Sequence, residues 1–89
     1  MIIAKVIGMV VSTRKEEDLK GFKLLIVQPL TPQGRERGEP LVAVDTVGAG
    51  IGEMVVVALG SPARLAVDNP NAPVDASIVG IIDSIDFAK

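Results

Sequence analysis

The sequence contains no cysteine and no histidine. The absence of cysteine excludes disulfide bonds and thiolate zinc sites. The absence of histidine removes the base on which Ser-His and Cys-His catalytic arrangements depend. We therefore expect no catalytic, cofactor-binding or metal site, and we expect that the protein is not an enzyme.

Aromatic residues and excess positive charge are also scarce. Phe22 and Phe87 are the two aromatic residues, and nine basic side chains stand against eleven acidic ones, for a net charge of -2. Nucleic-acid surfaces combine a positive groove with stacking rings, and anionic membrane surfaces attract basic patches. The composition favours neither partner.

Long apolar runs are missing as well. The apolar stretch at residues 54–63 lies between Glu53 and Arg64, and it is far shorter than the roughly 18 to 20 residues that span a bilayer. Lys5 interrupts the apolar N-terminal segment, which lacks the pattern of a signal peptide. We expect a cytoplasmic protein.

The chain is nevertheless rich in aliphatic residues. It has 89 residues, of which 48% are hydrophobic. A chain of this length forms one domain, residues 1–89, and buries only about 60 to 65 percent of its unfolded surface on folding. So much aliphatic surface in a small domain indicates that part of it is buried between subunits.

Segments rich in β-branched residues predict five strands, at residues 2–13, 23–30, 41–45, 53–59 and 74–87. Gly8 marks an expected bulge or bend in the first strand. Residues 14–18 are charged and predict an exposed turn. Residues 60–67 predict a short helix with Ser61 as its N-cap and Pro62 in its first turn.

Five strands and one short helix in a small chain predict an all-β protein, a small five-stranded OB-like barrel. Closing a sheet into a barrel removes the exposed edges through which strands aggregate.

A glycine-dense loop joins the third and fourth predicted strands and carries an acid at each end. Its residues are Asp45, Thr46, Val47, Gly48, Ala49, Gly50, Ile51, Gly52 and Glu53. A phosphate-binding loop would precede a helix, whereas this loop precedes a strand, and Glu53 would repel a phosphate. A tight turn between strands is one alternative, and close contact between copies around a symmetry axis is another.

Several acids lie on or beside the predicted strands: Asp45, Glu53, Asp75, Asp83 and Asp86. A pair of carboxylates could catalyse hydrolysis in a small oligomeric enzyme. Strand-edge acids more often accept hydrogen bonds from loop N–H groups or pair with a basic side chain. Arg64, beside the short helix, is the expected partner for one of them.

Five blocks in order resemble the EutN/CcmL family, the vertex proteins of bacterial microcompartments such as carboxysomes and metabolosomes. The blocks are residues 4–8, 23–30, 45–53, 60–64 and 73–83, and together they span nearly the whole chain. The resemblance implies a structural shell protein, a pentamer of OB-like barrels at the corners of a polyhedral shell otherwise tiled by hexameric shell proteins. The family includes more than one ring size.

By the same resemblance, residues 45–53 are the candidate axial or intersubunit loop, with Gly48, Gly50 and Gly52 permitting close approach. Glu53 and Arg64 match family positions and form a candidate structural ion pair, within or between subunits. The alternative function is an OB-type module that binds an oligonucleotide or another ligand.

Overall fold

The computed structural model describes residues 1–13, 17–19, 21–69 and 71–88. Its strands are β1 (Ile2–Val10), β2 (Lys23–Leu30), β3 (Leu41–Asp45), β4 (Met54–Leu59) and β5 (Ala76–Ile81). A 3₁₀ turn spans Glu17–Leu19, and one helix, α1, spans Ser61–Ala66. The predicted turn at residues 14–18 lies partly outside the described residues, since residues 14–16 are not among them.

The strands form a closed barrel in the order β1-β2-β3-β5-β4. Neighbouring strands are antiparallel except β3 and β5, which are parallel. The predicted all-β fold, a five-stranded OB-like barrel with one short helix, is confirmed.

β1 contains the predicted bulge. Val6 pairs with Val27 and Gly8 pairs with Ile26, so Ile7 is the extra residue. A Cβ at Gly8 would lie 3.3 Å from Cδ1 of Ile26, and the glycine therefore lets the bulged strand approach β2 closely.

The first and last strands are shorter than predicted. β1 was expected to reach residue 13, but it ends at Val10, which pairs with Leu24 near the beginning of β2. β5 was expected at residues 74–87, but it spans Ala76–Ile81. The next residue, Ile82, donates its N–H to the carbonyl oxygen of Met54, which is the first residue of the antiparallel neighbour β4. Each strand ends where its neighbour no longer supplies a partner.

The barrel interior is narrow and is filled by small aliphatic side chains. Its buried residues are Ala4, Val6, Leu25, Val27, Ala43, Ala49, Val55, Val57, Ala76 and Ile78. Five strands enclose too little space for larger side chains from every strand, which explains the use of alanine and valine.

A second cluster covers the outside of β3 beside α1. Its buried members are Val44, Ala63, Ala72 and Val74. The buried hydroxyl of Ser77 donates to the carbonyl oxygen of Ala63 at 2.8 Å, which joins α1 to β5. The helix is thereby held against the barrel wall.

The predicted helix N-cap was wrong by one residue. Gly60, with φ of 69°, is the N-cap, and the helix begins at Ser61 without a side-chain cap. The glycine adopts a positive φ that serine would avoid, while Pro62 lies in the first turn as predicted.

Candidate functional site

The glycine loop begins with a buried carboxylate. Oδ1 of Asp45 accepts hydrogen bonds from the N–H groups of Val47 at 3.0 Å and Gly48 at 3.1 Å. The residue is 7% exposed. Asp45 therefore fixes the turn by which the chain leaves β3.

Lys23 closes the same turn from β2. Its Nζ lies 3.7 Å from Oδ2 of Asp45 and donates to the carbonyl oxygen of Ala49 at 3.2 Å. The side chain of Asp45 is 1% exposed and that of Lys23 is 50% exposed. Because the cation is half in water, we attribute more stability to the two N–H bonds than to the ion pair.

The end of the loop is held by Glu53 and by β1. Oε1 of Glu53 accepts from the N–H of Gly50 at 2.6 Å. The N–H of Gly52 donates to the carbonyl oxygen of Val6, whose own N–H donates to the carbonyl oxygen of Glu53. The loop is thus anchored to the barrel at both ends.

The geometry of the loop within one subunit explains why three of its residues are glycine. Gly48 and Gly52 have φ values of 81° and 94°, where a side chain would be strained. Gly50 lacks a positive φ, but a Cβ there would lie 3.3 Å from Oε1 of Glu53. The glycines thus have local roles in addition to any contact with another copy.

The loop does not offer a phosphate cradle. Most of its N–H groups donate to protein oxygens, and these are the N–H groups of Thr46, Val47, Gly48, Gly50, Gly52 and Glu53. The carboxylate of Glu53 also occupies the side of Gly50 that an anion would approach. Outward, the loop presents the apolar side chains of Ile51, 67% exposed, and Val47, 41% exposed, beside the exposed Glu53.

Glu53 and Arg64 are not joined among the described residues of this single subunit. The carboxylate of Glu53 bonds to Gly50, and Nη2 of Arg64 donates to the hydroxyl of Ser61 at 3.2 Å. Their pairing across a subunit boundary stays a prediction. Among the described residues, no group of acids is placed to hold a metal ion.

Sequence reasoning did not identify two shallow grooves on the outside of the barrel. The Arg37 groove, of about 200 Å³, is lined by Ile3, Leu30, Pro32, Arg37 and Val56, with Met1 and Ile2. The Asp75 groove, of about 190 Å³, is lined by Leu24, Val42, Val44, Pro73 and Asp75, with Leu19, Val74 and Ala76. The Arg37 groove has a mainly apolar floor, whereas polar and apolar atoms contribute about equally to the lining of the Asp75 groove. The residues come from distant parts of the sequence, and only the aliphatic excess hinted at such surfaces.

A family model described as "Ethanolamine utilisation protein EutN/carboxysome" matches residues 1–83. The chain belongs to the EutN/CcmL family. The match covers β1 to β5 and the glycine loop, and it confirms the family inferred from the five sequence blocks.

Individual relatives of this EutN/CcmL chain are similar over nearly its whole length. The microcompartment shell vertex protein GrpN of Rhodospirillum rubrum is 49% identical over 86 residues, covering 97% of each chain. The carboxysome shell vertex protein CcmL of Synechocystis sp. is 50% identical over 89 residues, covering 100% of this chain and 89% of the relative.

A solved structure described as the pentameric microcompartment shell protein GrpN from Rhodospirillum rubrum superposes with a TM-score of 0.90. The two chains are 48% identical, and the match covers 99% of this chain and all of that one. None of these relatives is named as an oligonucleotide-binding protein, so the alternative function receives no support. The described helices include none long and apolar enough to cross a membrane.

Proposed function

We propose that this chain is a structural protein of a bacterial microcompartment shell, in which it forms a ring of five subunits at each vertex. The observation that carries the proposal is the full-length similarity to proteins named as shell vertex proteins, one of them described as pentameric. Its function is then to close the polyhedral shell and not to catalyse a reaction.

The exposed surface of the barrel supports assembly. Ile7 and Met9 on β1, and Val11 just after it, are 47%, 51% and 84% exposed. Val47 and Ile51 in the glycine loop add further exposed aliphatic surface, and such surface marks protein interfaces where it is contiguous. Contacts with other subunits would bury part of it.

The geometry of a closed shell explains why a five-membered ring is needed. A sheet tiled by hexamers is flat, and fivefold corners give it the curvature to close. We propose hexameric shell proteins as the neighbours of the ring. The shell of a carboxysome or a metabolosome is the corresponding location.

Within the ring, we propose the loop from Asp45 to Glu53 as an axial or intersubunit element. Its anchors to Lys23 and Val6 make it rigid, and rigid loops lose little conformational entropy when they assemble. Ile51 at its tip supplies an apolar contact.

Electron microscopy of shells from a strain that lacks this gene and any other vertex protein tests the function. We expect open or elongated shells, and we expect the enclosed enzymes to keep their specific activity once the shells are lysed. The matched control is the same strain with the wild-type gene restored. Normal closed shells without the protein would overturn the proposal, and so would loss of the enzymes' chemistry after lysis.

A further inference from the structure

The two grooves lie on different sides of the barrel. Ile3 and Val56 of the Arg37 groove pair across the seam between β1 and β4. Val42 and Val44 of the Asp75 groove are on β3, and Ala76 is on its neighbour β5. In the closed order β1-β2-β3-β5-β4, these two seams share no strand, although β2 also contributes Leu30 to the Arg37 groove and Leu24 to the Asp75 groove.

The grooves are too small and too open to be ligand pockets. Their volumes of about 200 Å³ and 190 Å³ are below the 300 to 1,000 Å³ typical of small-molecule sites. Val42 is 47% exposed, so the floor of the Asp75 groove is already reachable from outside. A protruding protein surface fits these shapes better than an enclosed molecule does.

Each groove carries one charged side chain among the described residues that line it, and the two charges are opposite. Arg37 is in the first groove and Asp75 is in the second. Neither side chain forms an ion pair or a side-chain hydrogen bond with any described residue, although the backbones of both are hydrogen-bonded. Both charges are exposed and are available to a partner.

We propose that the two grooves are the two halves of one contact between copies of this chain, with Arg37 of one copy facing Asp75 of the next. This inference rests on the proposed ring. A contact between unlike surfaces is head-to-tail, and head-to-tail contacts generate closed rings when the rotation between subunits permits closure. A contact between two identical grooves would instead bring like charges together.

The energetic division of this contact follows from its parts. The apolar side chains in the two grooves, which include Val42 and Val56, supply affinity when water leaves them. The exposed Arg37–Asp75 pair adds little net stability, but it favours the head-to-tail orientation because like charges in the same place repel.

Charge reversal tests the contact. Arg37→Asp and Asp75→Arg should each raise the dissociation constant of the ring about tenfold or more. The double variant Arg37→Asp/Asp75→Arg recreates an opposite pair at every contact and should restore assembly to near the wild-type value. Ring population is read by native mass spectrometry across a dilution series. The control is Glu36→Arg, next to Arg37 but outside the groove lining.

Mixing the two single variants provides a second readout. Unlike neighbours in a mixed ring meet with opposite charges, and identical neighbours meet with like charges. A ring with an odd number of subunits cannot alternate, so at least one repulsive contact remains. An equimolar mixture should therefore assemble better than either variant alone and less well than the double variant.

The outcomes separate this inference from the proposed function. If wild-type protein forms the ring while both reversals assemble normally, the contact is wrong and the proposed function stands. If the single variants fail and neither the double variant nor the mixture recovers, the contact is also wrong. If the wild-type protein forms no ring, both proposals fail. Circular dichroism spectra that match the wild type show that the variants fold.

Discussion

The carboxylate of Glu53 accepts a hydrogen bond from the N–H of Gly50 at 2.6 Å, and the N–H of Glu53 donates to the carbonyl oxygen of Gly50 at 3.1 Å. This reciprocal pair closes the glycine loop just before β4 begins. The turn therefore depends on a side chain at the residue that precedes the strand.

Replacing Glu53 should loosen the loop. Glu53→Ala leaves the N–H of Gly50 without its acceptor, and we expect the free energy of unfolding to fall by about 1 kcal/mol. Glu53→Gln keeps an acceptor oxygen in place, so its free energy of unfolding should fall by less than half as much as that of Glu53→Ala. Urea denaturation at a fixed protein concentration measures both. Equal stability of the wild type and Glu53→Ala would show that the reciprocal pair contributes nothing.

Gly48 and Gly52 should be sensitive to alanine because of their backbone conformation. With φ values of 81° and 94°, Gly48→Ala or Gly52→Ala should each lower the free energy of unfolding by about 1 to 2 kcal/mol. Gly80→Ala is the control, because Gly80 lacks a positive φ and its added Cβ would lie 3.9 Å from Val56, an ordinary contact. Thermal unfolding that ranks Gly80→Ala as the most damaging would contradict this account.

Asp45 should matter more than the lysine beside it. Asp45→Ala leaves two part-buried N–H groups without their acceptor, and we expect the free energy of unfolding to fall by about 2 kcal/mol. Lys23→Met removes a half-exposed cation and should lose less than about 1 kcal/mol. Asp45→Asn keeps Oδ1 as an acceptor, so its loss of stability should lie between the losses of Lys23→Met and Asp45→Ala. Denaturation midpoints measure the three stabilities. A lower midpoint for Lys23→Met than for Asp45→Ala would contradict this ranking.

The narrow barrel should reject a larger side chain. Ala43 is 1% exposed inside the barrel, so Ala43→Leu should lower the free energy of unfolding by about 1 to 3 kcal/mol through overpacking. Ser84→Leu, at an exposed position, should change it by less than about 0.5 kcal/mol. Calorimetry of the two variants makes the comparison. A stabilised Ala43→Leu variant would mean that the interior has unfilled space.

Sequence patterns predicted the second and third strands of the chain better than the first and last. β2 and β3 span the predicted residues because glycine and proline bound their apolar runs. β1 and β5 were predicted too long, since their ends depend on where β2 and β4 stop supplying hydrogen-bond partners. That information lies in the pairing and not in local composition.

The glycine loop was recognisable from sequence, but its anchors were not. Lys23, Val6 and Ile78 hold the loop from three other strands, and Thr46 reaches Ile78 through a 2.6 Å bond. Nor could spacing show which glycines need a positive φ. The two grooves were missed for the same reason, because each is assembled from separate strands and loops.

The central claim is that this chain assembles into a ring of five subunits. Native mass spectrometry of the purified protein, from physiological salt and across a dilution series, tests it most directly. We predict a dominant species with five times the mass of one chain, which gives way to single subunits only on strong dilution. A monomer that persists at high concentration would contradict the account.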